Sequence, residues 1–277
     1  MTTDLSHLNT LSAEAIRSFL PEPLRSNLRL TVYGTIDSTN NAARLAASAL
    51  GAAQDAAPAL FTAEEQTGGR GRFGRSFYSP RGSGLYLTYS FRPAFPLSEV
   101  TRVTPAAAVA AHRVLSRYSP DPLGIKWVND LYRNGLKIAG ILTEGCGSTT
   151  SGNFERLLVG IGVNCAPAAV PEDLRGIAGA LTDSPEQLPD RNRLLAEIAA
   201  ALHQALATGS TPGDPDCLRY YREHCLLTGQ TVTVRPVGKP PYSAVVEGIG
   251  DGFELLVRTP DGRREALTSG EVSLQLR

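Results

Sequence analysis

The sequence predicts an α+β protein: a mixed β-sheet flanked by helices, followed by a small C-terminal β-barrel. Three observations lead there. Short runs of alternating β-formers are interleaved with alanine-rich helical patterns up to about residue 228. From Gly229 the helical pattern stops, and short strands separated by Asp-Gly pairs take over. The chain of 277 residues is 42% hydrophobic and 19% charged, enough for one large core and a small one. The expected organisation is a helical extension at 1–27, a main domain at 28–228 and the barrel at 229–277.

Taken in order, Ser12 to Leu20 reads as a short amphipathic helix with Ser12 as N-cap, Ile16, Phe19 and Leu20 on one face, and Pro21 and Pro23 beyond it. It is expected to be a loose appendage. Leu28 to Tyr33 alternates as a strand, and an alanine-rich helix follows from Asn40 to Leu50. The polar cluster Ser38-Thr39-Asn40 at its start either caps the helix or holds a polar ligand there. Gly51 to Pro58 is a loop of small residues. Ala59 to Ala63 is a strand, Leu85 to Arg92 another, and Leu97 to Tyr118 a buried helix that Pro105 begins or kinks.

Ile125 to Tyr132 is expected to form one strand interrupted by Lys126, Asn129 and Asp130. Asn134-Gly135 then marks a two-residue hairpin, and Leu136 to Glu144 is the return strand. A lysine at 137 in that apolar strand needs a reason: either the strand is an edge and Lys137 faces water, or the ammonium has a task. Gly145 to Asn153 is a polar turn. Leu157 to Cys165 is a strand whose Gly160 and Gly162 permit close approach of a neighbour. Helices follow at Arg191 to Ala207 and Cys217 to Cys225. Four short strands at 231–235, 243–249, 253–258 and 272–276 complete the pattern.

Composition excludes several classes. Lys+Arg and Asp+Glu both number 27, so there is no basic excess of the kind a general nucleic-acid or membrane-surface binder carries. The four cysteines form no C-x-x-C pair and no zinc spacing, which fits reduced thiols in a cytoplasmic protein. The N-terminus lacks the pattern of a signal peptide, and no apolar run approaches the roughly 20 residues that span a bilayer. The short N-terminal helix does not supply a helix-turn-helix, so no DNA-binding domain of that kind is expected.

One local feature is strongly basic. Gln66 to Arg75 holds four glycines and three arginines in ten residues. Bare backbone N–H groups and forked guanidinium donors suit a loop that closes over an anion. Four segments then carry polar residues where apolar ones would serve: Ser38-Thr39-Asn40, Gln66 with Arg70-Gly71-Arg72, Lys126 with Asn129-Asp130 and Lys137, and Gly160-Ile161-Gly162-Val163-Asn164.

The order and wording of these segments resemble the biotin protein ligases, whose marks are Ser-Thr-Asn after the first strand, GRGRxGR, KWPND, KxxGIL and GIGxN. They stand here as Ser38 to Asn40, Gly69 to Arg75, Lys126 to Asp130, Lys137 to Leu142 and Gly160 to Asn164. The family often has tryptophan where this chain has Phe77, and Val128 stands for the usual proline. The resemblance implies a class II synthetase-like catalytic domain, an SH3-like barrel and the monofunctional type of ligase. It implies that biotin and ATP, with Mg²⁺, give biotinyl-5′-AMP, and that a lysine of a biotin carboxyl carrier protein domain then takes the biotinyl group. A homodimer is compatible with it.

Residue by residue, the resemblance implies that Ser38, Thr39, Asn40 and Gln66 line biotin's ureido head and the pocket entrance, with Gly140 in the same set. Arg70, Gly71 and Arg72 fold over biotin and the adenylate. Lys137 meets the biotin carboxylate or its acyl-phosphate. Arg72, Arg75, Phe77, Lys126, Asn129 and Asn164 serve the nucleotide, with Lys126 on phosphate, and with Asn164 and Phe77 at adenine. Asn129 and Asp130 hold Mg²⁺ or its waters; alternatively, Asp130 orients Lys126 or the incoming amine. The catalytic set is Lys137, Arg72, Lys126 and Asp130. The nearest rival is a lipoate or octanoate ligase or transferase of the same fold. More distant rivals are an arginine-loop nucleic-acid module and a sensor that binds without ligating.

Overall fold

The computed structural model describes residues 10–50, 57–148, 152–208, 212–236, 238, 240–268 and 271–274. Most of the loop expected at 51–58 and the centre of the turn at 145–153 lie outside these residues.

Among the described residues two helices come first, α1 (Ala13–Phe19) and α2 (Leu24–Asn27), then strand β1 (Arg29–Ile36), helix α3 (Thr39–Leu50) and strand β2 (Ala59–Gln66). The basic loop leads to β3 (Gly84–Phe91) and helix α4 (Val103–Leu115). Strands β4 (Leu123–Lys126), β5 (Asp130–Arg133), β6 (Leu136–Cys146) and β7 (Arg156–Asn164) follow. Helices α5 (Arg191–Leu206) and α6 (Pro215–His224) precede β8 (Thr231–Arg235), β9 (Tyr242–Ile249), β10 (Leu255–Arg258), β11 (Arg264–Leu267) and β12 (Glu271–Leu274).

The main sheet runs β1-β2-β3-β7-β6-β5-β4. The β1–β2 pair is parallel, joined through α3, and the other pairs are antiparallel. The sheet is therefore mixed, as expected. Alternation along its strands separates two cores. Ala59, Phe61 and Leu158 pack with Ala42 and Ala43 of α3 on one face, while Leu60, Leu87, Leu157 and Val159 join the larger core under α4 and α5.

Four sequence readings need correction, one of them the edge alternative for Lys137. The stretch 125–132 is two antiparallel strands and a turn with a cis Trp127–Val128 peptide: Trp127 turns away to be buried against Phe253, and Asn129 donates to Ile141 O at 3.0 Å. Strand β6 lies between β7 and β5, so Lys137 is not on a water-facing edge. The N-terminal segment is not loose. Ser12 caps α1 by accepting from Ala15 N, Ile16, Leu20, Leu24 and Leu28 are buried, and Leu11 N donates to Glu64 Oε1 at 2.6 Å. That carboxylate also pairs with buried Arg191 at 2.8 Å, tying the segment to β2 and α5. Phe19, expected on the buried face, is 42% exposed.

The hairpin at Asn134-Gly135 forms with positive φ at both residues (50° and 77°). The main helix expected at 97–118 is a 3₁₀ turn at Leu97–Arg102 followed by α4, with Pro105 in its first turn. The C-terminal strands pair as one antiparallel sheet, β11-β10-β9-β8-β12. Sequence reading passed over β11, a charged four-residue edge strand. At Asp251-Gly252 the left-handed residue is Phe253 (φ 66°) rather than the glycine. This second sheet packs on the first through Trp127, whose Nε1 donates to Phe253 O at 2.8 Å. Among the described residues no helix is long and apolar enough to cross a membrane.

Candidate active site

Two facing rows of the main sheet make the floor of the site. Gly140, Leu142 and Glu144 of β6 lie opposite Gly162, Gly160 and Leu158 of β7. The glycines are there because side chains come down onto them. A Cβ on Gly160 would fall 2.2 Å from Asn40 Oδ1, and one on Gly162 would fall 2.5 Å from the Phe77 ring.

The start of α3 closes the floor from above. Asp37 accepts from Asn41 Nδ2 (2.7 Å) and Ser38 N (2.6 Å); the first of these bonds, then the second, hold its carboxyl below its ordinary range. With Asp37 serving the helix end, Ser38, Thr39 and Asn40 turn inward and are buried. Gln66 Oε1 accepts from Thr39 N and Oγ1, at 2.9 and 3.1 Å, while Gln66 Nε2 donates to Ser79 Oγ. Thr88 Oγ1 lies 2.9 Å from Thr39 Oγ1 and 2.5 Å from Asn40 Oδ1, and Asn40 Nδ2 donates to Glu144 Oε2 at 2.7 Å. The result is a small chamber of about 50 Å³ whose polar lining groups largely bond one another.

The basic loop forms a short hairpin over this chamber. Phe77 N donates to Gly69 O, Arg70 pairs with Ser76, and Gly71 N donates to Arg75 O. Its tip is Phe73-Gly74, both at positive φ (56° and 74°), with Phe73 exposed. Two arginines two residues apart reach opposite ways. Arg70 Nη1 donates to Asn41 Oδ1 at 3.0 Å on the α3 side. Arg72 Nη1 donates to Asn129 Oδ1 at 2.9 Å on the far side.

Beyond Arg72 lies a second, larger chamber of about 320 Å³. Lys126, Trp127, Asp130 and Tyr132 line one wall, Val170, Leu174, Ile177 and Ala178 another, and Val272 of the second sheet contributes. Lys137 Nζ is 2.7 Å from Asp130 Oδ1, an ion pair that lacks the alignment of a hydrogen bond. Lys126 Nζ donates to Tyr132 OH at 3.4 Å and lies 5.3 Å from the ring centre. Burial first, and then the charge of Asp130, hold the Tyr132 hydroxyl above its ordinary range, so it stays protonated.

The wall at 170–183 is fastened in three places. Lys137 N donates to Ile177 O and Gly179 N to Lys137 O, both at 2.8 Å. Asn164 Nδ2 donates to Gly179 O at 3.0 Å. Buried Arg133 bonds Asp121, Ala180 O and Asp183.

The two chambers share Gly71, Arg72, Phe77, Asn129 and Lys137. All residues singled out in the sequence for one ligand or the other line one chamber or both. Ser38, Thr39, Asn40, Gln66, Arg70 and Gly140 fall in the small one; Arg75, Lys126, Asp130 and Asn164 fall in the large one. Phe77 stands at the junction, against Gly140 and Gly162. Sequence reading missed Thr88, Glu144, Tyr132 and the 170–178 wall. Thr88 alone carried a signal, a hydroxyl in a strand buried along its whole length. Among the described residues no group of three or more His, Cys, Asp or Glu could hold a metal ion.

The site is thus a mixed sheet bearing a small polar chamber and a larger cationic one, joined at a lysine. Residues 33–164 match the model of the biotin/lipoate A/B protein ligase family. A biotin–(acetyl-CoA-carboxylase) ligase of Paracoccus denitrificans is 32% identical over 241 residues, spanning 82% of this chain and 93% of the relative. The chain belongs to the biotin/lipoate A/B protein ligase family. The bifunctional ligase/repressor BirA of Bacillus subtilis is 29% identical over 215 residues; the match spans 78% of this chain and 66% of the relative's length. A biotin protein ligase from Aquifex aeolicus, solved with biotin and ATP, superposes with a TM-score of 0.68 at 23% identity, over 89% of this chain and 98% of the other.

Proposed function

We propose that the protein is an ATP-dependent biotin–[biotin carboxyl-carrier protein] ligase. The observation that carries this is the meeting of the two chambers at Lys137 and Arg72. An acid bound in the small chamber and a triphosphate bound in the large one would face each other there. Two anions must approach for the acid oxygen to attack the α-phosphorus and displace pyrophosphate. Lys137, Arg72 and Lys126 offset that repulsion with charges already in place, often the largest catalytic term. The biotin/adenylate roles given above to Ser38, Thr39, Asn40, Gln66, Arg70, Gly71 and Gly140 follow the small chamber. Those of Arg75, Phe77, Asn129 and Asn164 follow the large one.

The lining of the small chamber favours biotin over lipoate or octanoate. A ureido ring offers donors and acceptors to Ser38, Thr39, Asn40 and Gln66, whereas a dithiolane or alkyl tail offers none. In the second half-reaction the carrier lysine's amine attacks the acyl carbon, and AMP leaves. No protein nucleophile is needed. Closure of the basic hairpin keeps water from the mixed anhydride meanwhile.

Mg²⁺ fits this site as the counter-ion of the nucleotide. Asp130 offers one carboxylate, whose Oδ1 is buried without an aligned donor, and a hard cation of this kind takes one or two carboxylates plus phosphate oxygens and water. Asp130 would hold it, and it would neutralise triphosphate charge. We read residues 28–228 as the catalytic domain, 1–27 as an N-terminal helical extension whose described part docks on it, and 229–277 as an SH3-like barrel. The partner is a biotin carboxyl carrier protein domain, and a homodimer is compatible with the exposed edge of β1.

The test is exchange of labelled pyrophosphate into ATP with Mg²⁺ and biotin, lipoate or octanoate. Exchange with biotin alone is expected. Exchange with lipoate alone would keep the chemistry and overturn the substrate.

A further inference from the structure

Glu144 closes the row Gly140-Leu142-Glu144 without lining either chamber. Its side chain is 19% exposed, and three side chains from two segments, α3 and the basic hairpin, converge on it. Asn40 Nδ2 donates to Oε2 at 2.7 Å. Arg44 Nη2 lies 2.7 Å from Oε1, and Arg70 Nη2 lies 3.7 Å from the same oxygen. Asn40 and Arg70 both line the small chamber. A single carboxylate on the sheet thus fixes one wall of that chamber and the base of the hairpin above it.

We propose that Glu144 is a positioning residue for ligand capture, tethering the base of the arginine hairpin through Arg70 while orienting the Asn40 amide. The proposal deepens the biotin-ligase reading and rests on it for its enzymatic arm. The division of labour follows from the hairpin. Arg70 sits at its base on the α3 side, and Arg72 sits near its tip on the nucleotide side. With the base pinned, the tip can open and close about a fixed hinge. Without the pin, the base rests on the Arg70–Asn41 bond and the backbone pairing of Phe77 with Gly69, and the lid loosens. Asn40 needs the same carboxylate for a different reason. Its Oδ1 is held at Thr88, so Glu144 is what keeps Nδ2 from turning.

The two functions separate by substitution. Glu144→Gln keeps an acceptor for Asn40 and removes the charge that draws Arg70. Glu144→Ala removes both. Two measurements read them. The first is trypsin cleavage after Arg70, Arg72 and Arg75 in the ligand-free protein, with thermal melting as the control for folding. Because Arg70 is 44% exposed, the pair is weakly coupled, and cleavage should quicken by about two- to fivefold in Glu144→Gln. The second is the lifetime of adenylate on the protein after biotin and ATP are removed. It should shorten by a similar factor in Glu144→Gln, with little change in the KM for ATP. Glu144→Ala should add a rise in the KM for biotin. Cleavage and adenylate lifetime that match the wild type in Glu144→Gln would overturn the tether. A wild type that forms no adenylate would overturn the ligase reading instead, and the cleavage comparison would still decide the tether.

Discussion

The small chamber and the large one are built by different means. The small chamber is cut into regular structure: two strands supply the floor, a helix start and Gln66 supply the walls, and its polar groups already bond one another. The large chamber takes one wall from strands β4 and β5 but borrows the rest from irregular chain: a hairpin tip, the segment around 170–178 and one residue of the second sheet. Regular structure holds hydrogen-bonding groups at fixed spacing, which suits a ligand recognised by its polar edge. Loops can move, which suits a ligand that arrives as a triphosphate and leaves as pyrophosphate and AMP. On the proposed reading, one chamber selects and the other gates.

Substitutions can break this contrast in graded ways. The largest effect is expected where the chambers meet. Lys137→Ala removes the charge both chambers share and leaves Asp130 without its ion pair, so pyrophosphate exchange should fall by a factor on the order of a hundred or more. Next comes a change confined to the selective side. In Gly160→Ala the new methyl would sit 2.2 Å from Asn40 Oδ1 and displace an amide bonded to Thr88 and Glu144. Losing one or two buried hydrogen bonds should raise the KM for biotin by about tenfold to a hundredfold, with the KM for ATP nearly unchanged. Equal loss for both ligands in steady-state kinetics would erase the contrast.

The gating side should yield less. Arg133→Ala frees Asp183 and Ala180 O and loosens the 170–183 wall, so the KM for ATP should rise by about three- to tenfold while that for biotin holds. A smaller, separate effect belongs to neither chamber. His112 is buried between α4 and β4, where its Nε2 bonds Leu123 O, and burial pushes its pKa down to about 4. The unfolded chain protonates near 6.5 and the folded one near 4, so the unfolded state binds more protons in that window. His112 therefore leaves stability intact above about pH 6.5 and erodes it as pH falls towards 4. In His112→Gln that part of the acid sensitivity should vanish from the melting curve, with no change in either KM at neutral pH.

How much of this was legible in the sequence follows the same division. Lys137 announced itself, because a charge in an apolar strand demands a partner, and Asp130 supplies it. Gly160 and Gly162 were readable as points of close approach, although not that Asn40 and Phe77 are what approach them. Glu144 was invisible: a glutamate near a strand end looks solvated, and only pairing across 104 residues shows its partner in Asn40. The 170–178 wall has no periodicity, and it owes its place to bonds from the Lys137 backbone, Arg133 and Asn164. Residues 125–132 misled for a physical reason. Trp127 and Val128 keep the apolar pattern of a strand through a turn, since Trp127 is buried against the second sheet.

The most direct measurement is to identify what the protein holds after incubation with biotin, ATP and Mg²⁺, by separating the protein, denaturing it and weighing the released ligand by mass spectrometry. If an acid and a nucleotide meet at Lys137, the wild type releases biotinyl-5′-adenylate and Lys137→Ala releases little or none. Unreacted biotin and ATP from the wild type would contradict the joined chambers as a site of activation.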